Sequence, residues 1–384
     1  MLFASEHSNS HSISNTNFTL IPIMAPPTFS TSDSLYEFVV KEGNGVKGLV
    51  DSGLSEVPER YVQPEEERIN KLRTRRHNNP PIDLSKLKGP DHKKVVDEIV
   101  RAAETIGFFQ VVNHGVPLEL LESLKDSSHR FFNLSPKEKS LFCPGVSPST
   151  KVKYATSFAP EKETTLEWRD YISMGYTTDQ DALQYWPNQC KEDALDYLKS
   201  ASKLVRDILE VLIESLEVKV QESIVDIHSG MKLINMNYYP SCPNPDLTVG
   251  VGRHSDIGAI TVLLQDDIGG LYVKLDEHNN HREWLEIPPI PGALVINIGD
   301  TIEILSNGNY KSAEHAVRTS TKSRVSVALF NFPNPTLKIG PLEELVKKDG
   351  VARYRRVLFQ DYMNNFFANT HHGKESSLDF AKST

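Results

Sequence analysis

Cysteine is scarce in this chain: Cys143, Cys190 and Cys242 are the only three in 384 residues. They form no C-x-x-C pair, and an odd count leaves one thiol over. That argues against a disulfide framework and fits a reduced, cytoplasmic setting. Long apolar runs are missing as well. No stretch approaches the ~20 residues of a membrane span, so no membrane partner is expected. Positive charge is in deficit, with 42 Lys+Arg against 51 Asp+Glu and a net charge of −9. A general nucleic-acid binder needs a basic face, and this balance speaks against one. One local arginine can still hold an anionic small molecule.

What is present is an ordinary globular composition, 39% hydrophobic and 24% charged, enough for one large domain or two sharing a core. Residues 1–30, rich in Ser and Asn, lack the basic start and apolar block of a secretory signal and the arginines of a transit peptide. They are expected to be a disordered extension without a targeting role, upstream of a second candidate start at Met24. The charged stretch "EEERINKLRTRRHNNPP" reads as a solvated linker or surface helix.

Residues 81–140 read as an α/β lobe. "PIDLSKL" is a short strand candidate. "PDHKKVVDEIVRAAETIG" has helical spacing and a glycine stop at Gly107. "FFQVVNHG" is a strand, and "PLELLESLKDSSHRFFNLS" an amphipathic helix. A long helix is expected at about 192–217, with Leu198, Leu204, Ile208, Leu212, Ile213 and Leu216 on its apolar face. From residue 231 the texture changes. "KLINMNYYP", "ITVLLQ", "GLYVKL", "WLEIPP", "ALVINIG", "KSAEHAVRT" and "RVSVALFNFP" are short, β-branched and separated by Gly, Asn, Asp and Pro. Many strands so spaced mean a sandwich or barrel. The tail "VARYRRVLFQDYMNNFF" reads as helix. The expected units are therefore an N-terminal lobe, 31–200, and a barrel domain with a C-terminal helix, 201–384.

Within "VGVGRHSDIGAITVLLQDD", His254 and Asp256 are two positions apart, the spacing at which side chains on a strand share a face. Two histidines and a carboxylate on one face of an ion is the ligand set of non-haem iron(II) oxygenases. His315, on a later strand, is the best third ligand. A lone H-x-D is weak, and His281 with Glu283 supplies a second one; its place in a polar turn argues against it. In "SRVSVALF", Arg324 and Ser326 share a strand face and make a small-acid anchor. An arginine in a structural ion pair reads the same way in sequence. Tyr239 in "NYYPSCPNP" offers a hydroxyl, or is a buried strand tyrosine. The glycines Gly43, Gly45 and Gly48 spell G-x-G-x-x-G, but no βαβ unit follows, so nucleotide binding is not expected. His114 reads as a turn histidine and Cys242 as a buried thiol.

At these residues the sequence resembles the plant 2-oxoglutarate- and iron(II)-dependent dioxygenases. The matching pieces are "GFFQVVNHG", "NYYPSCPNPDLTVGVGRHSD", "QDDIGGLYVKL", "GALVINIGD", "ILSNGNYKSAEH" and "RVSVALF", in order over about 80–335. The resemblance implies a mainly β fold, a double-stranded β-helix (jelly roll) core with flanking helices and an α/β N-terminal lobe. It implies iron on His254, Asp256 and His315. It places 2-oxoglutarate on Arg324 and Ser326, supported by Tyr239 and Asn237, and a flat substrate against Phe330. O2 would be consumed, with ascorbate as supporting reductant. The sequence departs from the family at Ala316, where arginine is usual, and at Ala328, where close relatives usually have proline.

A narrower likeness to the coumarin-pathway branch lies in "FVVKEGNGVKGLVDSGLSEVP", "ATSFAPEKETTLEWRDYISM" and "GVARYRRVLFQDYMNNFF". It implies a monomer hydroxylating a small aromatic substrate. The reaction it points to first is scopoletin 8-hydroxylation to fraxetin. The alternative is ortho-hydroxylation of feruloyl-CoA or coumaroyl-CoA. From another class, a non-catalytic small-molecule-binding barrel would keep the fold without turnover.

Overall fold

Two β-sheets face each other, and side-chain alternation decides what lies between them. The computed structural model describes residues 32–218, 223–275, 283–369 and 377–383. The expected extension over 1–30 and His281 lie outside these. The strands are β1 (Thr74–Arg76), β2 (Ile82–Asp83), β3 (Phe108–Val112), β4 (Val152–Thr156), β5 (Asp170–Tyr176), β6 (Met231–Tyr239), β7 (Val249–His254), β8 (Ile260–Gln265), β9 (Leu271–Lys274), β10 (Trp284–Ile287), β11 (Leu294–Ile298), β12 (His315–Arg318) and β13 (Arg324–Phe332). The larger sheet runs β2-β3-β11-β8-β13-β6-β5-β4, and the smaller β1-β10-β9-β12-β7.

On the larger sheet one set of alternate residues, including Ile172, Met174, Ile234, Met236, Val262, Leu264, Ile296, Val327 and Leu329, joins one apolar cluster with residues of the helix Lys191–Glu214. Each fully buried side chain of this kind contributes roughly 2 kcal/mol. The helix is thus held by packing, and its expected stripe from Leu198 to Leu216 is buried. The opposite face turns toward the smaller sheet. There Tyr239, Leu263 and Val295 meet Val251, Leu271, Val273, Leu285 and Val317. This is the mainly β jelly roll with flanking helices.

Register carries the alternation across neighbouring strands. Gln265 pairs with Ser326, Ser326 with Asn237, and Asn237 with Tyr171. Arg324 pairs with Tyr239, and Ala328 with Asn235. All of these face the smaller sheet. Of the strands before residue 200, β2 and β3 extend the larger sheet at one edge and β4 and β5 at the other, while β1 joins the smaller sheet. The expected boundary at 200/201 falls inside the continuous helix Lys191–Glu214.

Two local expectations need correction. The charged stretch over 65–76 is neither linker nor helix: two 3-10 turns lead into β1, which pairs in parallel with β10. An edge strand is polar because one side of it meets water. The tail is helical only over Phe359–Asn369; Val357–Leu358 before it pairs with Lys338–Ile339. "PIDLSKL" forms only two strand residues before a 3-10 turn. The glycine-rich motif opens a short helix at Gly45, whose Val46 and Lys47 N–H groups donate to the buried Asp170 carboxylate (2.8 and 2.9 Å). A protein carboxylate thus occupies the place a phosphate would need. Cys242 is buried beside Thr248, and burial pushes its thiol up.

Candidate metal centre

His254, Asp256 and His315 converge at the rim between the sheets, each offering one ligand atom within 4.8 Å of the others. The strand argument for the first two needs revision: β7 ends at His254, and Asp256 lies in the turn beyond it. A β-bulge brings His254 inward. His315 pairs with His254 but Val317 pairs with Val251, so β7 carries one extra residue there. Val251 faces the core. Unbroken alternation would therefore have turned Arg253 inward and His254 out. Arg253 instead makes a bidentate bond to Glu67 (2.6 and 2.7 Å). The turn carrying Asp256 is clamped from behind, where Asp300 N–H donates to the Asp256 carbonyl (2.7 Å). A Cβ on Gly299 would lie 2.3 Å from the Gly258 carbonyl oxygen, so this approach requires glycine.

Hydrogen bonds fix which atoms face inward. His254 Nδ1 donates to the Gly252 carbonyl (2.9 Å) and His315 Nδ1 to the Ala313 carbonyl (3.1 Å). That leaves each Nε2 as the ring nitrogen on the inner side, free of protein hydrogen bonds and placed to ligate. Both point at Asp256 Oδ1, at 3.7 and 3.9 Å, too long for hydrogen bonds. Asp256 Oδ2 accepts from Thr261 Oγ1 (2.5 Å) and Asn297 Nδ2 (2.8 Å), which leaves Oδ1 free. Burial and then the neighbouring His254 push the His315 imidazole down to about 4, so it is neutral near pH 7. Burial raises the Asp256 carboxyl, but His315, His254, Thr261 and Asn297 outweigh it and hold it below its ordinary value. Three ligand atoms converge on one point with no hydrogen bond among them, an arrangement that fits a divalent cation. Thr261→Val keeps the side-chain shape and removes one donor from Asp256. Metal affinity should fall about tenfold, read by titration calorimetry with Mn(II). Unchanged affinity would mean the hydroxyl does not hold the carboxylate.

Arg324 lies further along the same face, 2% exposed. Among the described residues it makes no ion pair. Nη2 donates to Gln265 Oε1 (3.3 Å), while Nε and Nη1 have no partner. The guanidinium sits over the Tyr239 ring, 4.9 Å from its centroid. A Cβ on Gly250 would come within 2.6 Å of that ring, so glycine makes room for it. Buried Ser326 is beside Arg324, and Asn237 is the register neighbour of Ser326. Sequence reasoning passed over Gln265, whose buried Nε2 also lacks a partner. The result is a cradle of donors with no carboxylate of the described residues in ion-pair contact; the Arg324 charge does reach Asp266, where it opposes the upward push of burial. Phe330 is half-buried and stacks on Phe332 at 5.9 Å. Ala328 lies on the site face, whereas Ala316 packs outward with Ile69, Tyr272 and Trp284. Only the first of these two departures lies on the face that carries Arg324 and Ser326.

The pattern of the 2OG-Fe(II) oxygenase superfamily matches residues 231–333, and that of the non-haem dioxygenase in morphine synthesis N-terminal region matches 80–193. The chain is 59% identical over 356 residues to scopoletin 8-hydroxylase of Arabidopsis thaliana, covering 92% of this chain and 98% of that protein. It is 49% identical over 357 residues to a feruloyl CoA ortho-hydroxylase of Ipomoea batatas, again covering 92% and 98%. The crystal structure of JOX2 in complex with 2OG, Fe and JA superimposes with a TM-score of 0.76 at 33% identity, covering 88% of this chain and 97% of that one. With these likenesses over nearly its whole length and a two-histidine, one-carboxylate cluster beside an anion cradle, the chain belongs to the 2OG-Fe(II) oxygenase superfamily.

Proposed function

We propose that this dioxygenase hydroxylates scopoletin at C8, giving fraxetin. The observation that carries the reading is the 59% identity to a scopoletin 8-hydroxylase, against 49% to a thioester hydroxylase over the same span. His254, Asp256 and His315 would hold iron(II). Bound iron supplies O2 activation: substrate, 2-oxoglutarate and O2 become hydroxylated substrate, succinate and CO2. The chain's own residues set the geometry. Arg324, with Ser326, Tyr239 and Asn237, grips the far carboxylate of 2-oxoglutarate, so its reacting end is oriented before O2 arrives. Thr261 and Asn297 hold Asp256 in its ligating rotamer. Phe330 offers a flat wall to the aromatic ring, and Ala328 leaves space beside it. Apolar contacts between the sheets keep water from the reacting atoms.

A second reading, hydroxylation of feruloyl-CoA, has one observation in its favour. Lys153 is half-buried, its β4 position is in register with Ser173 and so with Asn235 on the site face, and it makes no ion pair among the described residues. A free ammonium suits the phosphates of a CoA handle. One aerobic reaction with Fe(II), ascorbate and 2-oxoglutarate, offered scopoletin and feruloyl-CoA together, decides between them by mass spectrometry. Gain of one oxygen by scopoletin is expected. Conversion of feruloyl-CoA alone would transfer the assignment to the thioester. Absence of succinate under all conditions would favour the binding-only barrel.

A further inference from the structure

The segment 166–169 runs between the two sheets. Trp168 N–H donates to the Val249 carbonyl on β7 (2.8 Å), and the chain then enters β5 at Asp170. It carries a pair of charges that the reaction chemistry does not call for, Glu167 and Arg169, whose side chains are 14% and 10% exposed. Each makes contacts in both directions. Glu167 Oε1 accepts from Gly252 N–H (2.8 Å), and Oε2 accepts from Arg169 Nη2 (2.7 Å). Gly252 is the residue whose carbonyl fixes His254 Nδ1. Arg169 Nη1 in turn donates to Asn237 Oδ1 (3.2 Å). That bond settles the amide's orientation. Asn237 Nδ2 then faces away from Arg169, with only a long 3.4 Å contact to the Asn235 carbonyl, and stays available as a donor on the cradle face.

We propose that Glu167 and Arg169 are positioning residues that join the two halves of the site, fixing a metal-ligand strand at one end and the 2-oxoglutarate-supporting Asn237 at the other. The continuous path is His254–Gly252–Glu167–Arg169–Asn237. It crosses from the smaller sheet to the larger through side chains that sequence separation alone would never bring together. The ion pair is largely buried, so removing Arg169 leaves Glu167 beside the like charge of Glu163, and removing Glu167 leaves Arg169 with only the weaker pull of Glu163; either cut releases what the lost partner was holding. Arg169 is also seated on the Tyr171 ring, 4.8 Å from its centroid, which limits where the guanidinium can go. The inference rests on the ligand and cosubstrate assignments proposed above, but not on the identity of the aromatic substrate.

The path predicts a pattern that a merely structural ion pair would not produce. Arg169→Met cuts it beyond Glu167: Kd for 2-oxoglutarate should rise about tenfold, with Mn(II) affinity changed less than threefold. Glu167→Ala cuts it at Gly252 and also frees Arg169, so both constants should rise about tenfold. The double variant should be no worse for 2-oxoglutarate than Glu167→Ala, because the path is already broken. Both constants are read anaerobically by calorimetry with Mn(II) and 2-oxoglutarate, beside KM and kcat for succinate release. Should Arg169→Met fail to fold, Arg169→Lys keeps the charge but cannot reach Glu167 and Asn237 together, and should still raise Kd for 2-oxoglutarate. Wild-type 2-oxoglutarate binding in both Arg169 variants would overturn the proposal, as would fully additive effects in the double variant. A wild-type protein that converts neither aromatic substrate would sink the functional reading alone, since these titrations contain no aromatic substrate.

Discussion

Asp256→Ala should lower iron-dependent succinate release by about a thousandfold or more, an increase of about 4 kcal/mol in the barrier. The substitution removes the one carboxylate and leaves only the two imidazoles of His254 and His315 facing the metal position. Two neutral donors hold a divalent ion far less well than a set that includes a carboxylate. The loss should therefore appear first in metal content and only then in rate. Calorimetry with Mn(II) should show no saturable binding at concentrations that fill the wild type. Chelation of the wild-type protein should give the same phenotype, reversed by Fe(II). The fold should survive, because Asp256 is held by donors rather than by apolar packing; Thr261 and Asn297 lose an acceptor, a cost of about 1–3 kcal/mol each at most. A variant that kept a tenth of wild-type succinate release would remove Asp256 from the ligand set.

That centre was legible as letters but not as geometry. Spacing found His254 and Asp256, yet the rule that found them assumed one strand, whereas the strand ends at His254 and a bulge aims it inward. Nothing in "VGVGRHSD" announces a bulge except its glycines. The barrel strands from residue 231 onward were readable because their apolar residues are dense and their turns well marked. β4 and β5 were missed although Val152, Tyr154 and Thr156, then Ile172 and Met174, alternate as strands should; lysines and a glycine diluted the signal. Glu167 and Arg169 left no trace in sequence spacing, since Gly252 and Asn237 lie 85 and 68 positions away. Gln265 went unnoticed for a different reason. At the end of an apolar strand a glutamine looks like a terminus, and only the pairing of β8 with β13 turns it toward Arg324.

Arg324→Ala should raise KM for 2-oxoglutarate about a hundredfold or more. A bidentate guanidinium–carboxylate contact in a buried site is among the stronger polar interactions, and removing one partner costs about 2–5 kcal/mol. The remaining donors, Gln265 Nε2, Asn237 Nδ2 and the Ser326 and Tyr239 hydroxyls, are neutral and cannot replace the charge. In the proposed assignment the lost contact is remote from the reacting end of 2-oxoglutarate but would fix its orientation, so kcat should fall as well, by about tenfold. Arg324→Lys should recover part of the affinity. A lysine supplies the charge without the planar fork, and it stacks less well on Tyr239. The order wild type, lysine, alanine in 2-oxoglutarate KM is the expected outcome, read by succinate release at saturating iron. Equal KM values across the three would show that the unfilled N–H groups of Arg324 serve something other than the cosubstrate carboxylate. The donor cradle would then be better assigned to an oxygen of the aromatic substrate, whose KM in the same variants would have to rise instead.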